Sequence, residues 1–309
     1  TGAAVDLVVA TSTLRGEGQQ VYWWGTSYGT RVIQRALHVV PDLPTGVLLD
    51  GLVPADWTFS EHDLGVDAAG RALLSACAAD PACADRFDAA PIEIAEAVIA
   101  APRAACAEIG LDRRGIQTLT GRLIAAGDPY SALVPAVWHR LDRCDRADRR
   151  ALEHLLGALD DEPLADSAVL APVMERHLAY AELWDRAGPD LQDFETSLRL
   201  AVSTLGVSEA MAVQAPDWPV VPPRDEWRGV WPTTSVPVLA LHGAFHPVVP
   251  LSRIGGFDGW LEGATQQVVR VPYAEAMALD RGPCGPELYR QFPVSYTHLR
   301  AHETVLDLV

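Results

Sequence analysis

The sequence contains no lysine, and little else in it supplies concentrated positive charge. All 24 basic residues among its 309 are arginine, against 41 acidic residues, which gives a formal net charge of −17. We read the missing lysine as the codon bias of a GC-rich genome and assign it no mechanism. A chain this acidic repels a phosphate backbone, and no basic stripe supplies the counterion release that drives nucleic-acid binding. We therefore expect no nucleic-acid partner.

Long hydrophobic runs and metal-binding patterns are also missing. No apolar run approaches the length of a membrane span, so we expect no membrane-spanning segment, and no signal peptide is visible. The sequence has no CxxC pair and no spaced set of histidines and cysteines. Zinc, which needs such a ligand set, is therefore disfavoured.

The sequence contains few cysteines, and their number is odd. The five cysteines are Cys77, Cys83, Cys106, Cys144 and Cys284. An odd count leaves at least one of them unpaired. Cys77 and Cys83 enclose a short loop with Asp80-Pro81 at its turn, so a local disulfide is geometrically reasonable and would suit an exported protein. Two small apolar residues on a helical hairpin explain the same spacing, and both interpretations stay open.

The most informative feature present is an apolar, strand-like run that leads into Gly25-Thr26-Ser27-Tyr28-Gly29. G-x-S-x-G after a strand is the sequence form of a nucleophile elbow. The glycines remove Cβ atoms that would clash on a tight strand-to-helix turn, and the serine hydroxyl is left protruding above the sheet. Ser27 is therefore a candidate catalytic nucleophile. An ordinary glycine-punctuated turn is the alternative interpretation.

Hydrophobic periodicity predicts an α/β protein with an insertion. A helix is expected over residues 3–14. It is followed by a strand over 20–24, a helix over 29–39 and a strand over 46–49, and these three form a βαβ unit with parallel strands. Residues 57–224 contain helical segments and no convincing strand. Strands return at 236–241 and 266–271, and a final helix is expected over 285–292. We predict a core made of residues 1–56 and 225–293, with a helical cap over 57–224 inserted between its halves.

This order resembles the α/β-hydrolase superfamily, and more closely the secreted tripeptidyl and prolyl aminopeptidase branch of the serine peptidases. The resemblance covers residues 3–293 and rests on the elbow, on Asp50-Gly51-Leu52-Val53-Pro54, and on segments 77–87, 181–184, 237–250 and 271–284. It implies a partial, mostly parallel α/β-hydrolase sheet with an inserted all-helical cap. It also implies a serine hydrolase that cleaves short peptides from the amino terminus, or small esters, without a cofactor. A secreted or cell-envelope location follows from the same resemblance.

Two positions of the catalytic triad in that family carry other residues here. In that family the acid stands in a Gly-x-x-Asp-Pro motif, and the matching segment here is Gly243-Ala244-Phe245-His246-Pro247, with His246 in place of the aspartate. The family's base stands in a Pro-x-x-Gly-His motif, and the matching segment here is Pro272-Tyr273-Ala274-Glu275-Ala276, with Ala276 in place of the histidine. A serine hydroxyl needs a base to take its proton and a third group to orient that base. In one interpretation His246 is a displaced base, oriented by Glu275 or Asp280. In the other the triad is lost, and the chain is a pseudoenzyme that binds a peptide or small apolar ligand.

Further site residues follow from the resemblance. The backbone N–H of Tyr28 would help to bind the oxyanion. Asp50 and Glu182 are candidate substrate-binding carboxylates, and Glu182 would neutralise the substrate's ammonium by a charge-assisted bond. The alternatives are that Asp50 caps a helix or pairs with an arginine, and that Glu182 is an exposed helix residue. His242 and His246 are four residues apart, but the glycine and proline beside them argue against a helix, so we predict no metal site there.

Both ends of the chain lead to expectations of their own. The chain opens at Thr1 without methionine, and we expect a fragment that lacks the loop carrying the second oxyanion donor. The strand over 20–24 would then be an exposed apolar edge. Residues 294–304 resemble a translated reading frame of a transposon-type sequencing adapter, so we expect residues 294–309 to be an artefactual tail.

Overall fold

The computed structural model describes residues 2–161, 172–184, 191–219, 226–254, 266–271, 287 and 290–292. The chain divides into two units, each with its own core. The first, here called the sheet unit, comprises residues 1–57, 224–246 and 251–309. The second, the helical unit, comprises residues 58–223 and 247–250.

A parallel sheet of four strands forms the centre of the sheet unit, in the order β1-β2-β3-β4. The strands are β1 (Tyr22–Thr26), β2 (Gly46–Asp50), β3 (Val238–Gly243) and β4 (Gln266–Val271). Every residue of β2 and β3 is buried, which is why these strands read as continuous apolar runs and do not alternate. The prediction of an α/β protein with a parallel sheet is confirmed.

Two helices pack on this sheet, α1 (Gly2–Leu14) and α2 (Tyr28–Val39). Ile33 and Leu37 of α2 are buried in the core of the sheet unit. The indole of Trp23 on β1 donates a hydrogen bond to Thr11 Oγ1 of α1, at 2.9 Å. Strand β1, which leads into the elbow, is therefore fixed to the helix that precedes it and to the helix that follows it in the sequence.

Strand β1 lies at one edge of the described sheet. Its two faces differ, because Trp23 is buried whereas the side chain of its neighbour Trp24 is 53 % exposed. The expected apolar edge strand is therefore present in the described part of the sheet. An exposed edge with a large apolar side chain is a template for unwanted pairing with another chain.

The described residues of the helical unit form helices and contain no strand. The helices are α3 (His62–Ala79), α4 (Pro81–Ala84), α5 (Pro91–Ala100), α6 (Ala104–Ala107), α7 (Arg113–Ala126), α8 (Val134–Arg143), α9 (Arg146–Asp161), α10 (Pro172–Glu182), α11 (Leu191–Leu198) and α12 (Val207–Gln214). Their core surrounds Trp138 and Leu123, which are both 0 % exposed. This unit therefore has its own hydrophobic core.

Two disulfides link helices within this unit. Cys77 and Cys83 are bonded, with 2.01 Å between the sulfur atoms, so the disulfide interpretation of their spacing is the right one. Cys106 and Cys144 form a second disulfide across 38 residues. That pairing was not predicted, because two distant cysteines give no local sign of their proximity. Cys284 lies outside the described residues.

A buried carboxylate joins α3 to the start of α12. Asp63 is 0 % exposed, and its Oδ1 accepts hydrogen bonds from Thr204 Oγ1 at 2.8 Å, Leu205 N at 2.7 Å and Gly206 N at 3.0 Å. Its Oδ2 accepts from Ser208 N at 2.7 Å. The side chain therefore satisfies backbone donors that a helix start leaves open.

Candidate functional site

The turn between β1 and α2 has the geometry of a nucleophile elbow. Ser27 has a φ of 51° and a ψ of −120°, in a region that residues other than glycine rarely occupy. A Cβ on Gly25 would lie 2.6 Å from the carbonyl oxygen of Gly29 and 2.8 Å from Ile33 Cδ1. The first glycine of the motif is therefore required by the close approach of strand and helix.

Backbone hydrogen bonds hold Ser27 in this conformation. Its N–H donates to the carbonyl oxygen of Asp50 at 2.9 Å. Its own carbonyl oxygen accepts from Thr30 N at 3.0 Å and Thr30 Oγ1 at 2.7 Å. The strained residue is thus tied both to β2 and to the first turn of α2.

The Ser27 side chain is presented to solvent. Ser27 is exposed, and its hydroxyl makes no hydrogen bond with any residue that the structure describes. Tyr28, the next residue, is the first residue of α2. The first N–H groups of a helix have no partner within the helix, and they favour negative charge.

Two histidines stack at the end of β3. The rings of His242 and His246 are nearly parallel, with 4.7 Å between centroids and 13° between planes. The backbone N–H of His246 donates to the carbonyl oxygen of Gly243 at 3.2 Å, which closes a tight turn after the strand. His242 is 0 % exposed and His246 is 7 % exposed.

The strand register brings these residues to one edge of the sheet. Thr26 pairs with Asp50, and Asp50 pairs with Leu241, the neighbour of His242. Ser27 and His246 therefore follow strands that end at the same carboxyl-terminal edge, and His242 is the second-to-last residue of β3. In open parallel sheets, ligands bind at this edge. Asp50 is 0 % exposed, so its carboxylate lies beneath that surface.

Polar side chains of α2 hold the loop that follows Asp50. Arg31 Nη1 donates to the carbonyl oxygen of Pro54 at 2.9 Å, and Gln34 Nε2 donates to that of Val53 at 2.9 Å. Both side chains are buried. Neither residue is predicted from the sequence as part of the site, because polar residues on a helix are expected on its solvent face. The only available signal was their position one and two turns after the elbow.

The remaining predicted site residues lie in the helical unit or outside the described residues. Glu182 is the last residue of α10, is partly buried and belongs to the helical unit. Its role in substrate binding stays a prediction. Glu275, Ala276 and Asp280 lie outside the described residues.

The described residues contain neither a metal-binding cluster nor a membrane-spanning helix. No group of three or more histidine, cysteine, aspartate or glutamate side chains in the described ranges can hold a metal ion. No helix among these residues is both long enough and apolar enough to cross a membrane.

No protein-family model and no curated protein matches this chain. Its function is therefore argued from the site itself.

Proposed function

We propose that this chain is a serine hydrolase of the α/β-hydrolase type, in which Ser27 is the nucleophile. The observation that carries the proposal is the backbone of Ser27, with its φ of 51° and ψ of −120° between two glycines. Such strain costs about 1–3 kcal/mol and persists only where the surrounding structure enforces it. An exposed serine held in this way has its hydroxyl available for attack on a carbonyl carbon.

The substrate class follows from the resemblance to the secreted aminopeptidases: short peptides cleaved from the amino terminus, or small esters. The two disulfides support an oxidising compartment, as expected for an exported enzyme. Secretion itself belongs to the proposal.

In the proposed reaction, Ser27 Oγ attacks the substrate carbonyl carbon while its proton passes to the imidazole of His246. The Tyr28 N–H stabilises the oxyanion of the tetrahedral intermediate. Collapse of the intermediate breaks the bond to the leaving group, which takes the proton back from the imidazolium. Water then attacks the acyl-serine ester in the same manner, releases the acid and restores the serine.

His246 is the base in this scheme because it lies at the same edge of the sheet as Ser27 and stacks on a second imidazole. Asp50 is a candidate for the orienting acid, since it ends the strand between those of Ser27 and His242. General acid–base catalysis contributes about 10²–10⁴-fold to a rate. Loss of His246 should therefore be measurable even if turnover is slow.

Hydrolysis of chromogenic peptide anilides and of p-nitrophenyl acetate tests the proposal. We expect Ser27→Ala to reduce kcat/KM to the uncatalysed background and His246→Ala to reduce it by about 100-fold or more. Ser252→Ala and His154→Ala, at exposed positions outside the site, are the matched controls and should leave kcat/KM unchanged. Activity that survives Ser27→Ala would exclude Ser27 as the nucleophile.

A second candidate function is ligand binding without turnover. One observation favours it: the Ser27 hydroxyl contacts no base among the described residues. In that case the natural sequence hydrolyses nothing but binds a peptide saturably. A Glu275→Gly/Ala276→His variant, which restores the base motif of the resembled family, should then gain hydrolysis that depends on Ser27.

A further inference from the structure

A cationic cleft lies within the helical unit, beside α4 and α8. It encloses about 480 Å³, which is within the range of small-molecule sites. Four basic side chains line it: Arg86, His139, Arg140 and Arg143. No carboxylate among the described residues lines the cleft. That is unexpected in a chain whose net charge is −17.

The positive charge of the cleft is incompletely neutralised. Arg140 Nη1 and Arg143 Nη2 both contact one oxygen of Asp148, at 3.0 and 2.6 Å, and the Asp148 side chain is 1 % exposed. Hydrogen bonding to Asp148 raises the pKa of Arg143, so its guanidinium stays charged. Two guanidinium groups thus share one buried carboxylate.

Arg86 adds a third guanidinium to the cleft. Its side chain is exposed and makes no hydrogen bond or ion pair with any described residue. The acids nearest to Arg143 in sequence are engaged elsewhere: Asp142 pairs with Arg103 at 3.1 Å, and Asp145 accepts from backbone N–H groups at the start of α9. An anion in the cleft would therefore meet the unpaired guanidinium of Arg86 beside Arg140 and Arg143, whose charge Asp148 only partly neutralises.

One wall of the cleft is apolar. His139 Nε2 lies 2.7 Å from Arg143 Nη1, and because a guanidinium only donates, this nitrogen accepts the hydrogen bond. The same ring packs edge-on against Phe87, with 5.3 Å between centroids. Pro135 and three alanines also line the cleft. An apolar body can therefore lie beside the guanidinium groups.

Both disulfides of the helical unit brace the cleft. Cys83 is itself a lining residue and is bonded to Cys77 near the end of α3. Cys144 directly follows Arg143 and is bonded to Cys106. The elements that carry Arg86 and Arg143 are therefore covalently fixed, which lowers the ordering cost of binding.

We propose that this cleft binds a small organic acid, in which a carboxylate is carried on a compact aromatic or branched apolar body. Guanidinium groups match the planar carboxylate and bind it by paired, charge-assisted hydrogen bonds. The Phe87 wall takes the apolar body. This site is formed within the helical unit and does not depend on the proposed hydrolase activity.

Isothermal titration of the full chain with benzoate tests the proposal, with benzyl alcohol and inorganic phosphate as comparison ligands. We expect one saturable benzoate site and an affinity that falls with added salt. Arg86→Ala should raise the Kd about 10-fold or more, because it removes a charge-assisted contact without breaking an existing bond. Arg150→Ala, at an exposed arginine of α9 outside the cleft, is the matched control and should leave the Kd unchanged.

Three results would overturn the proposal. They are absence of saturable benzoate binding, an equal effect of the two arginine variants, and phosphate or benzyl alcohol binding as tightly as benzoate. Circular dichroism of each variant checks that its fold is retained. Arg86 is exposed and unpaired among the described residues, so its replacement should not unfold the unit.

Discussion

Replacing Asp63 by asparagine should destabilise the helical unit strongly. The substitution keeps the size of the side chain, but it removes the charge and turns one acceptor oxygen into an NH₂ donor. If Oδ1 keeps its three contacts, the new NH₂ faces the N–H of Ser208, which the carboxylate contacts at 2.7 Å. That N–H then becomes a buried donor without an acceptor.

The magnitude follows from the contacts. A hydrogen bond to a charged group contributes about 1.5–3 kcal/mol, and an unsatisfied buried donor costs about 1–3 kcal/mol. The three remaining bonds also weaken when the acceptor loses its charge. We expect a loss of about 4 kcal/mol in the free energy of unfolding.

The same carboxylate predicts the pH dependence. Burial alone would raise the pKa of Asp63, but His62 and the hydrogen bonds from Ser208 and Thr204 outweigh it and hold this pKa well below its usual value. A carboxyl whose pKa is lowered by folding stabilises the protein above its unfolded pKa of about 3.9, and this contribution is lost as the pH falls towards the folded pKa. The difference in unfolding free energy between the natural protein and Asp63→Asn should therefore narrow as the pH falls below about 4.

Urea unfolding followed by circular dichroism, from neutral to acidic pH, measures both effects. Asp88→Asn, at an exposed acid in the same unit, is the control and should change stability by less than about 0.5 kcal/mol. A loss below about 1 kcal/mol for Asp63→Asn, or a difference that does not change with pH, would refute this reasoning.

Three further predictions concern the backbone and the disulfides. Gly25→Ala should cost about 3 kcal/mol in unfolding free energy and block covalent labelling of Ser27, because the added Cβ would lie 2.6 Å from the carbonyl oxygen of Gly29. Gly29→Ala, with nothing within 4 Å of the added Cβ, is the control. Gly121→Ala on α7 should destabilise the protein by a similar amount, since the added Cβ would lie 2.3 Å from the carbonyl oxygen of Thr204. Gly157→Ala on α9 adds a Cβ with no atom within 4 Å and should stabilise the protein by about 0.5–1 kcal/mol. Thermal melts that rank the two variants the other way would contradict the prediction. Replacing Cys106 and Cys144 by alanine should cost about 1.5 kcal/mol more than replacing Cys77 and Cys83, since the sequence separations are 38 and 6; equal losses in urea would argue against the chain-entropy origin.

The strands and the elbow could be predicted from the sequence because their signals are local. A strand buried on both faces reads as a short apolar run, as β2 and β3 do. The expected bounds of β4, 266–271, also agree with the observed ones. The strand ending at 24 in the prediction extends to Thr26, because the Gly-Thr of the elbow motif still pairs with Leu49 and Asp50 of β2. Hydrophobic periodicity ends the predicted strand at Trp24, because a glycine adds no apolar side chain to the pattern.

Features that depend on distant residues could not be predicted. Asp63 and the groups that donate hydrogen bonds to it are separated by more than 140 residues, and the Cys106–Cys144 pair by 38. Arg31 and Gln34 appear as surface residues in the sequence, yet both are buried against carbonyl groups of the loop after β2. In each case the tertiary fold brings a side chain to its partner, and no local pattern in the sequence records that partner.

Covalent labelling of Ser27 tests the central claim most directly. The full chain is treated with a fluorophosphonate probe, digested and analysed by mass spectrometry, beside Ser27→Ala and the control Ser252→Ala. We predict one phosphonate adduct on the peptide that carries Ser27, retained in Ser252→Ala and absent from Ser27→Ala. An unlabelled natural chain, or an adduct that persists in Ser27→Ala, would contradict the assignment of Ser27 as an active nucleophile.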